Sequence, residues 1–287
     1  MRITLLCNLD IASNLAANQL INALPEHQFS VLMTSQVGGN NKRPDALEAL
    51  SFYENALFTQ ILFPALECNK GTNKQGHLDS SIESSQNKGA PLLTFDAMKQ
   101  RGIDIHIVSN INEGNGLERL TASNPELVLS VRFGRILKEP ALNVPQNGVL
   151  NLHSGLLPQY RGIMATFWSM LKGEPQIGCT LHRIQDAGID TGDIVSIHPI
   201  VTDYDKSYFD NMLAIYPQGL EAMIDAVKRI ADGKQLDALS QDMSQAGYFT
   251  TPDQASITLF EQKGYRWVNH DKLITLAKRF MPNGVVM

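Results

Sequence analysis

Asn151 and His153 stand two residues apart in the run NLHSGLLPQYRG, and an acidic, glycine-punctuated run, DAGIDTGD, lies downstream from Asp186 to Asp193. Alternate residues of a strand project to the same side, so the amide and the imidazole point together if this segment is extended. An amide can donate to a developing oxyanion, a histidine can act as base or donor, and a nearby carboxylate can orient and charge-stabilise that histidine. The set suits attack by an amine on a carbonyl carbon. No serine, cysteine or lysine of the cluster stands out as a nucleophile, so direct transfer is favoured over a covalent intermediate. Each part also has an ordinary reading. Asn-x-His can hydrogen-bond nearby backbone, Gly-Leu-Leu-Pro can be a turn, and Asp186 and Asp190 can cap a hairpin. Metal binding by His153, His182 and Asp190 is a weaker alternative, because no ligand pair at helical or turn spacing supports it.

The elements around these residues decide whether they can meet. Ile3 to Cys7 is a compact apolar run that reads as a strand. A helical pattern covers Ile11 to Leu24, stopped by Pro25, and a second strand opens at Phe29. Strand, helix, strand in this order predicts a parallel sheet with crossover helices. A helix or helix pair is expected over Ala46 to Leu66, another over Leu93 to Arg101, and a short one over Leu117 to Ser123. Strands are expected from Ile103 and Glu126, and the Gly148 to His153 strand places Asn151 and His153 at its carboxyl end, where open α/β sheets bind ligands. A helix over Ala165 to Lys172 precedes two strands, GCTLHRI and DIVSIHPI, with Asp190 near the turn between them. Leu220, Met223, Ile224, Val227 and Ile230 repeat at core-helix spacing, behind Pro217 in a first turn. Residues 36–89 break the pattern; 69–89, rich in Asn, Gln, Ser, Lys and Gly, are expected to be a mobile polar insertion.

The bulk numbers narrow the classes. A chain of 287 residues with 43% hydrophobic and 18% charged content fits one or two ordinary globular domains. A net charge of −5 argues against a general nucleic-acid grip. Cys7, Cys68 and Cys179 are too scattered for a disulfide framework or a zinc site. No run reaches the ~18 apolar residues of a membrane span, and the amino terminus reads as a buried strand instead of a signal peptide. A cytoplasmic location is expected.

Three segments in order, NPELVLSVRFGRILKEPAL, GVLNLHSGLLPQYRG and CTLHRIQDAGIDTGDIV, make the chain resemble the folate-dependent formyltransferases, which include methionyl-tRNA, glycinamide ribonucleotide and nucleotide-sugar enzymes. The resemblance covers most of residues 92–235. It implies a Rossmann-like α/β fold, a mostly parallel sheet flanked by helices. It also implies a catalytic domain over 1–235 and a short carboxy-terminal extension over 236–287. Asn151, His153 and Asp190 match the catalytic trio. Arg135, Ile136 and Leu137, together with Gly155, Leu156, Asp186, Ala187 and Gly188, match the surroundings of the folate.

The activity implied by the resemblance is transfer of a formyl group from N10-formyltetrahydrofolate to a small-molecule primary amine, with an amino sugar nucleotide as leading acceptor. Neither a metal nor a nucleic-acid or membrane partner is implied, and a homodimer is left open. A methionyl-tRNA formyltransferase-like enzyme, a formyltetrahydrofolate hydrolase and a catalytically silent folate-binding protein are the alternatives. GYFTTPD and KGYRWVN resemble the short tails of small-molecule formyltransferases, against a tRNA acceptor. Gly155 departs from the family's serine, and the connection from Cys179 to Asp190 looks one residue longer than usual.

Overall fold

A computed structural model of the chain describes residues 1–35, 43–72 and 90–281. Seven strands make its main sheet: β1 (Arg2–Asn8), β2 (Gln28–Thr34), β3 (Asp104–Ile107), β4 (Leu127–Val131), β5 (Val149–His153), β7 (Gln176–Ile184) and β8 (Ile194–Val201). Their order is β3-β2-β1-β4-β5-β7-β8. The first five are parallel, and β7 and β8 add an antiparallel edge. This is the Rossmann-like α/β arrangement that the resemblance implies, with the parallel pairing expected from the alternation of elements. Two short strands, β6 (Arg161–Gly162) and β9 (Tyr248–Phe249), pair in parallel apart from the main sheet.

Alternation along the strands builds the two sides of the sheet. Ile3, Leu5 and Cys7 enter one core while Leu6 enters the other; Leu129 and Val131 divide from Val128 in the same way. With a core on both faces, these strands read as continuous apolar runs. The larger core takes the helices Ile11–Ala23, Ala165–Lys172, Tyr208–Ala214 and Tyr216–Ala231. The helices Gln254–Gln262 and His270–Lys278 bury Ile257, Phe260, Leu273 and Leu276 in that same core.

The expected helix or helix pair over Ala46 to Leu66 is one unbroken rod. An α-helix at Asp45–Ser51 passes into a wider, π-wound stretch at Phe52–Leu62 and returns to α at Phe63–Thr72. Residues 69–72 of the expected polar insertion therefore end a helix, and 73–89 lie outside the described residues. Among the described residues no helix is long and apolar enough to cross a membrane.

Candidate active site

A cavity of about 750 Å³ opens at the carboxyl ends of β1, β4 and β5 and reaches along the neighbouring antiparallel strand β7, within the range of small-molecule sites. Asn151, His153 and Asp190 all line it, as do Arg135, Ile136, Leu137, Asp186 and Gly188. Gly155, Leu156 and Ala187 do not. Gly155 sits behind the His153 ring, and its carbonyl accepts from Thr180 Oγ1 (2.7 Å). Leu156 lays its side chain over Gly178. Ser154, the residue just before this pair, does line the cavity.

His153 ends β5 with its side chain buried. Its Nε2 lies 2.7 Å from the Tyr160 carbonyl oxygen. A carbonyl only accepts, so Nε2 carries the proton and Nδ1 is left facing Asp190 Oδ1 at 3.4 Å. Asn151, two residues earlier, donates through Nδ2 to His182 Nε2 (2.9 Å), while His182 Nδ1 donates to the Arg183 carbonyl (2.8 Å). The amide is thus fixed in orientation and keeps a second N–H for another acceptor.

Asp190 enters from the loop between β7 and β8 with a left-handed backbone, φ 53°. Its Oδ2 accepts from the Gly162 N–H (2.9 Å), and its Oδ1 also lies 3.6 Å from His182 Nε2. Burial pushes its pKa up, but the neighbouring imidazoles of His153 and His182 and the Gly162 N–H outweigh burial and bring it down to about 2. The loop is held by contacts from distant segments. Arg161 Nε donates to the Ile189 carbonyl (2.9 Å), and Gln241 Nε2 donates to the carbonyls of Asp190 (2.9 Å) and Gly192 (2.7 Å).

The loop after β4 forms the neighbouring wall. Leu137 is buried in the smaller core and Ile136 is exposed. The Ile136 carbonyl accepts from Asn112 Nδ2 (2.9 Å), and Arg135 Nε donates to the Ser109 carbonyl (3.2 Å). Across from it, Asp186 Oδ1 accepts from the Gly188 N–H (2.7 Å), closing a tight turn. Among the described residues no group of three or more His, Cys, Asp and Glu side chains is arranged to hold a metal ion.

The family model described as "Formyl transferase" matches residues 79–227, just over half of the chain. The chain belongs to the formyl transferase family. A methionyl-tRNA formyltransferase of Syntrophomonas wolfei is 29% identical over 161 residues, 56% of this chain and 51% of that protein. The chain thus spans about half the length of the curated relatives it matches. Among solved structures, a sugar 3N-formyl transferase, WlaRD, crystallised with dTDP and 5-N-formyl-THF, superposes with a TM-score of 0.54. It is 19% identical, over 87% of this chain and 69% of that one. Glycinamide ribonucleotide transformylase 1 of Symbiobacterium toebii gives 0.53 at 18% identity, over 84% and 94%. At these identities the two structures share the fold.

The structure gives Gly155 a physical reason. A Cβ there would meet the Tyr160 carbonyl oxygen, the Ala165 methyl group at 2.6 Å and His153 Nε2 at 2.7 Å. Gly155→Ser is therefore expected to destabilise the protein by about 1–3 kcal/mol through overpacking and to tilt the His153 ring. A thermal melt alongside a turnover assay checks this; a serine variant as stable and as active as the parent would show that the ring has room to move.

Sequence reasoning misses four contributors to this site. Tyr160, Arg161 and Gln241 act through backbone or long-range contacts that carry no local pattern. His182 does leave a signal, because it alternates with Thr180 on a strand next to Asn151, but by its spacing it enters only as a metal-ligand alternative.

Proposed function

We propose that the protein transfers a formyl group from N10-formyltetrahydrofolate to a primary amine of a small-molecule acceptor. The observation that carries this reading is the convergence of Asn151, His153 and Asp190, from one strand end and a loop, on one cavity. The backbone of residues 133–137 and the Asp186–Gly188 turn would hold the donor's bicyclic ring. A glycine in each, Gly134 and Gly188, lets the ring approach the main chain, and a Cβ at Gly188 would fill the turn against Thr191 Oγ1 and Asp186 Oδ1.

In the proposed reaction a neutral amine attacks the formyl carbon. The second Asn151 N–H stabilises the negative charge that develops on the formyl oxygen, as preorganised donors do. His153 Nδ1 is the ring nitrogen able to accept a proton, since Nε2 is committed to the Tyr160 carbonyl. Once protonated, it faces the ionised Asp190 and is stabilised there until it returns the proton toward the leaving nitrogen. The catalytic machinery is assigned to residues 1–235, with Tyr248 and Thr251 of the carboxy-terminal extension completing the cavity walls and Gln241 holding the Asp190 loop.

Incubating the purified protein with N10-formyltetrahydrofolate, with and without amines, tests the proposal. The amines span aminosugar nucleotides, amino acids and charged initiator tRNA. Amine-dependent loss of formyl supports transfer to whichever class is used. Loss without any amine would make it a hydrolase, and donor binding with no turnover would make it a silent folate-binding protein.

A further inference from the structure

Two imidazoles flank one carboxylate. Asp190 Oδ1 lies 3.4 Å from His153 Nδ1 and 3.6 Å from His182 Nε2, and the two rings meet edge to face with centroids 6.4 Å apart. By distance alone either ring could take the reaction's proton beside that charge. The hydrogen bonds of His182 decide between them.

His182 stands on β7 directly opposite Asn151 of β5. Pairing between β7 and β8 slips by one residue between Leu181 and His182, and such bulges re-aim side chains next to active sites. The residue is 1% exposed, so both ring nitrogens depend on protein partners. Nδ1 lies 2.8 Å from the Arg183 carbonyl, which only accepts, so Nδ1 carries a proton. Nε2 lies 2.9 Å from Asn151 Nδ2, which only donates, so Nε2 offers its lone pair. The ring therefore holds a single proton and is neutral.

The titratable and charged groups facing this ring are Asp190, from the loop after β7, and His153, from β5. Asp186 lines the same cavity, with Oδ1 engaged by the Gly188 N–H. The guanidinium of Arg183 projects to the other face of the sheet and donates to the Leu236 carbonyl (3.4 Å).

The opposite arrangement is a discrete alternative. A proton on His182 Nε2 would expel the Asn151 N–H, and the amide would have to turn over and present Oδ1. The N–H aimed at the formyl oxygen would leave its place. The imidazolium would also claim the Asp190 charge that supports a protonated His153.

We propose that His182 is a positioning residue for formyl transfer. With its one proton on Nδ1, it aims the Asn151 amide at the reacting carbon and reserves Asp190 for His153. Asn151 in turn keeps the proton off His182 Nε2, so the neighbouring strands hold each other's side chains in their working states. The inference rests on the formyl-transfer reading for its effect on rate, but not for the proton's place on the resting ring.

Long-range proton–nitrogen NMR of the donor-free protein at neutral pH reads that ring directly. His182 is expected to show Nδ1 protonated and Nε2 bare. A proton on Nε2, alone or together with one on Nδ1, would overturn the proposal. Kinetics with N10-formyltetrahydrofolate and an accepted amine read the consequence. His182→Leu removes the acceptor at similar size, and is expected to lower kcat by roughly 10–100-fold, less than outright loss of an oxyanion donor, with both KM values nearly unchanged. His182→Gln, whose Oε1 can still accept from Asn151, is expected to recover most of that rate. Asn151→Ala is expected to cost far less in the His182→Leu background than in the parent, because coupled residues are not additive. Unchanged kcat in His182→Leu, a loss carried by KM, a glutamine variant no better than leucine, or fully multiplicative losses would each overturn the positioning role. Melting curves check that the variants are folded. Should the NMR pattern be as expected while no amine is formylated, the proton's placement stands, and the formyl-transfer reading falls together with the rate effects that rest on it.

Discussion

His153→Ala is expected to lower the rate of formyl transfer by roughly 10²–10⁴-fold, the usual cost of losing a positioned acid–base or oxyanion-stabilising group. In the proposed reaction the imidazole Nδ1, which faces Asp190 at 3.4 Å, is the nitrogen that takes the proton. Its removal strands Asp190, whose remaining support is the Gly162 N–H and His182. Losing the Tyr160 contact and the ring's packing also has a structural cost, so the turnover assay needs a melting curve beside it. A folded variant with turnover near that of the parent would remove His153 from the chemistry.

Asp190→Asn is expected to lower the rate by a similar order, roughly 10²–10⁴-fold, while leaving donor affinity nearly unchanged. Asparagine keeps the size and can still accept from the Gly162 N–H, but it no longer stabilises a protonated His153. The variant also has a signature in acid. A carboxylate whose folded pKa is depressed to about 2, against ~3.9 unfolded, stabilises the native state above the unfolded value. That stabilisation falls away as pH drops through the folded pKa. Above about pH 4 the parent therefore holds an advantage over the asparagine variant, and between about pH 4 and 2 the two stability curves converge. A constant gap across that window, or loss of donor binding with the rate preserved at saturation, would reverse the role given to Asp190.

The parts of the fold that are legible in the sequence are those written locally. The core strands are buried on both faces, so Ile3–Cys7 and Leu127–Val131 stand out as continuous apolar runs. The Ala165–Lys172 helix is found where its pattern places it. The helix at Tyr208–Ala214 is not among the expected elements, although it carries a local signal, the reciprocal cap between Ser207 and Asp210. The helices at Gln254–Gln262 and His270–Lys278 likewise begin after capping side chains, Asp253 and Asn269.

The site divides in the same way. Two-residue spacing on one strand gives away Asn151 and His153. Nothing local ties Arg132 to Asp10 and Glu54, 122 and 78 residues away. The π winding under Glu54 has no periodicity that distinguishes it from an ordinary helix.

Gln241 and the β6–β9 pair have a consequence for the order of events during synthesis. Gln241 holds the carbonyls on either side of Thr191, and the Gly162 N–H that Asp190 accepts from belongs to the strand that β9 completes. Folding during synthesis proceeds from the amino terminus, so the sheet and the side chains of Asn151 and His153 can be in place while residues 241–249 are still inside the ribosome. A chain arrested at that stage would have its sheet, but neither its last two core helices nor support for the Asp190 loop. Competence is therefore expected late, after the trailing segment has emerged and docked.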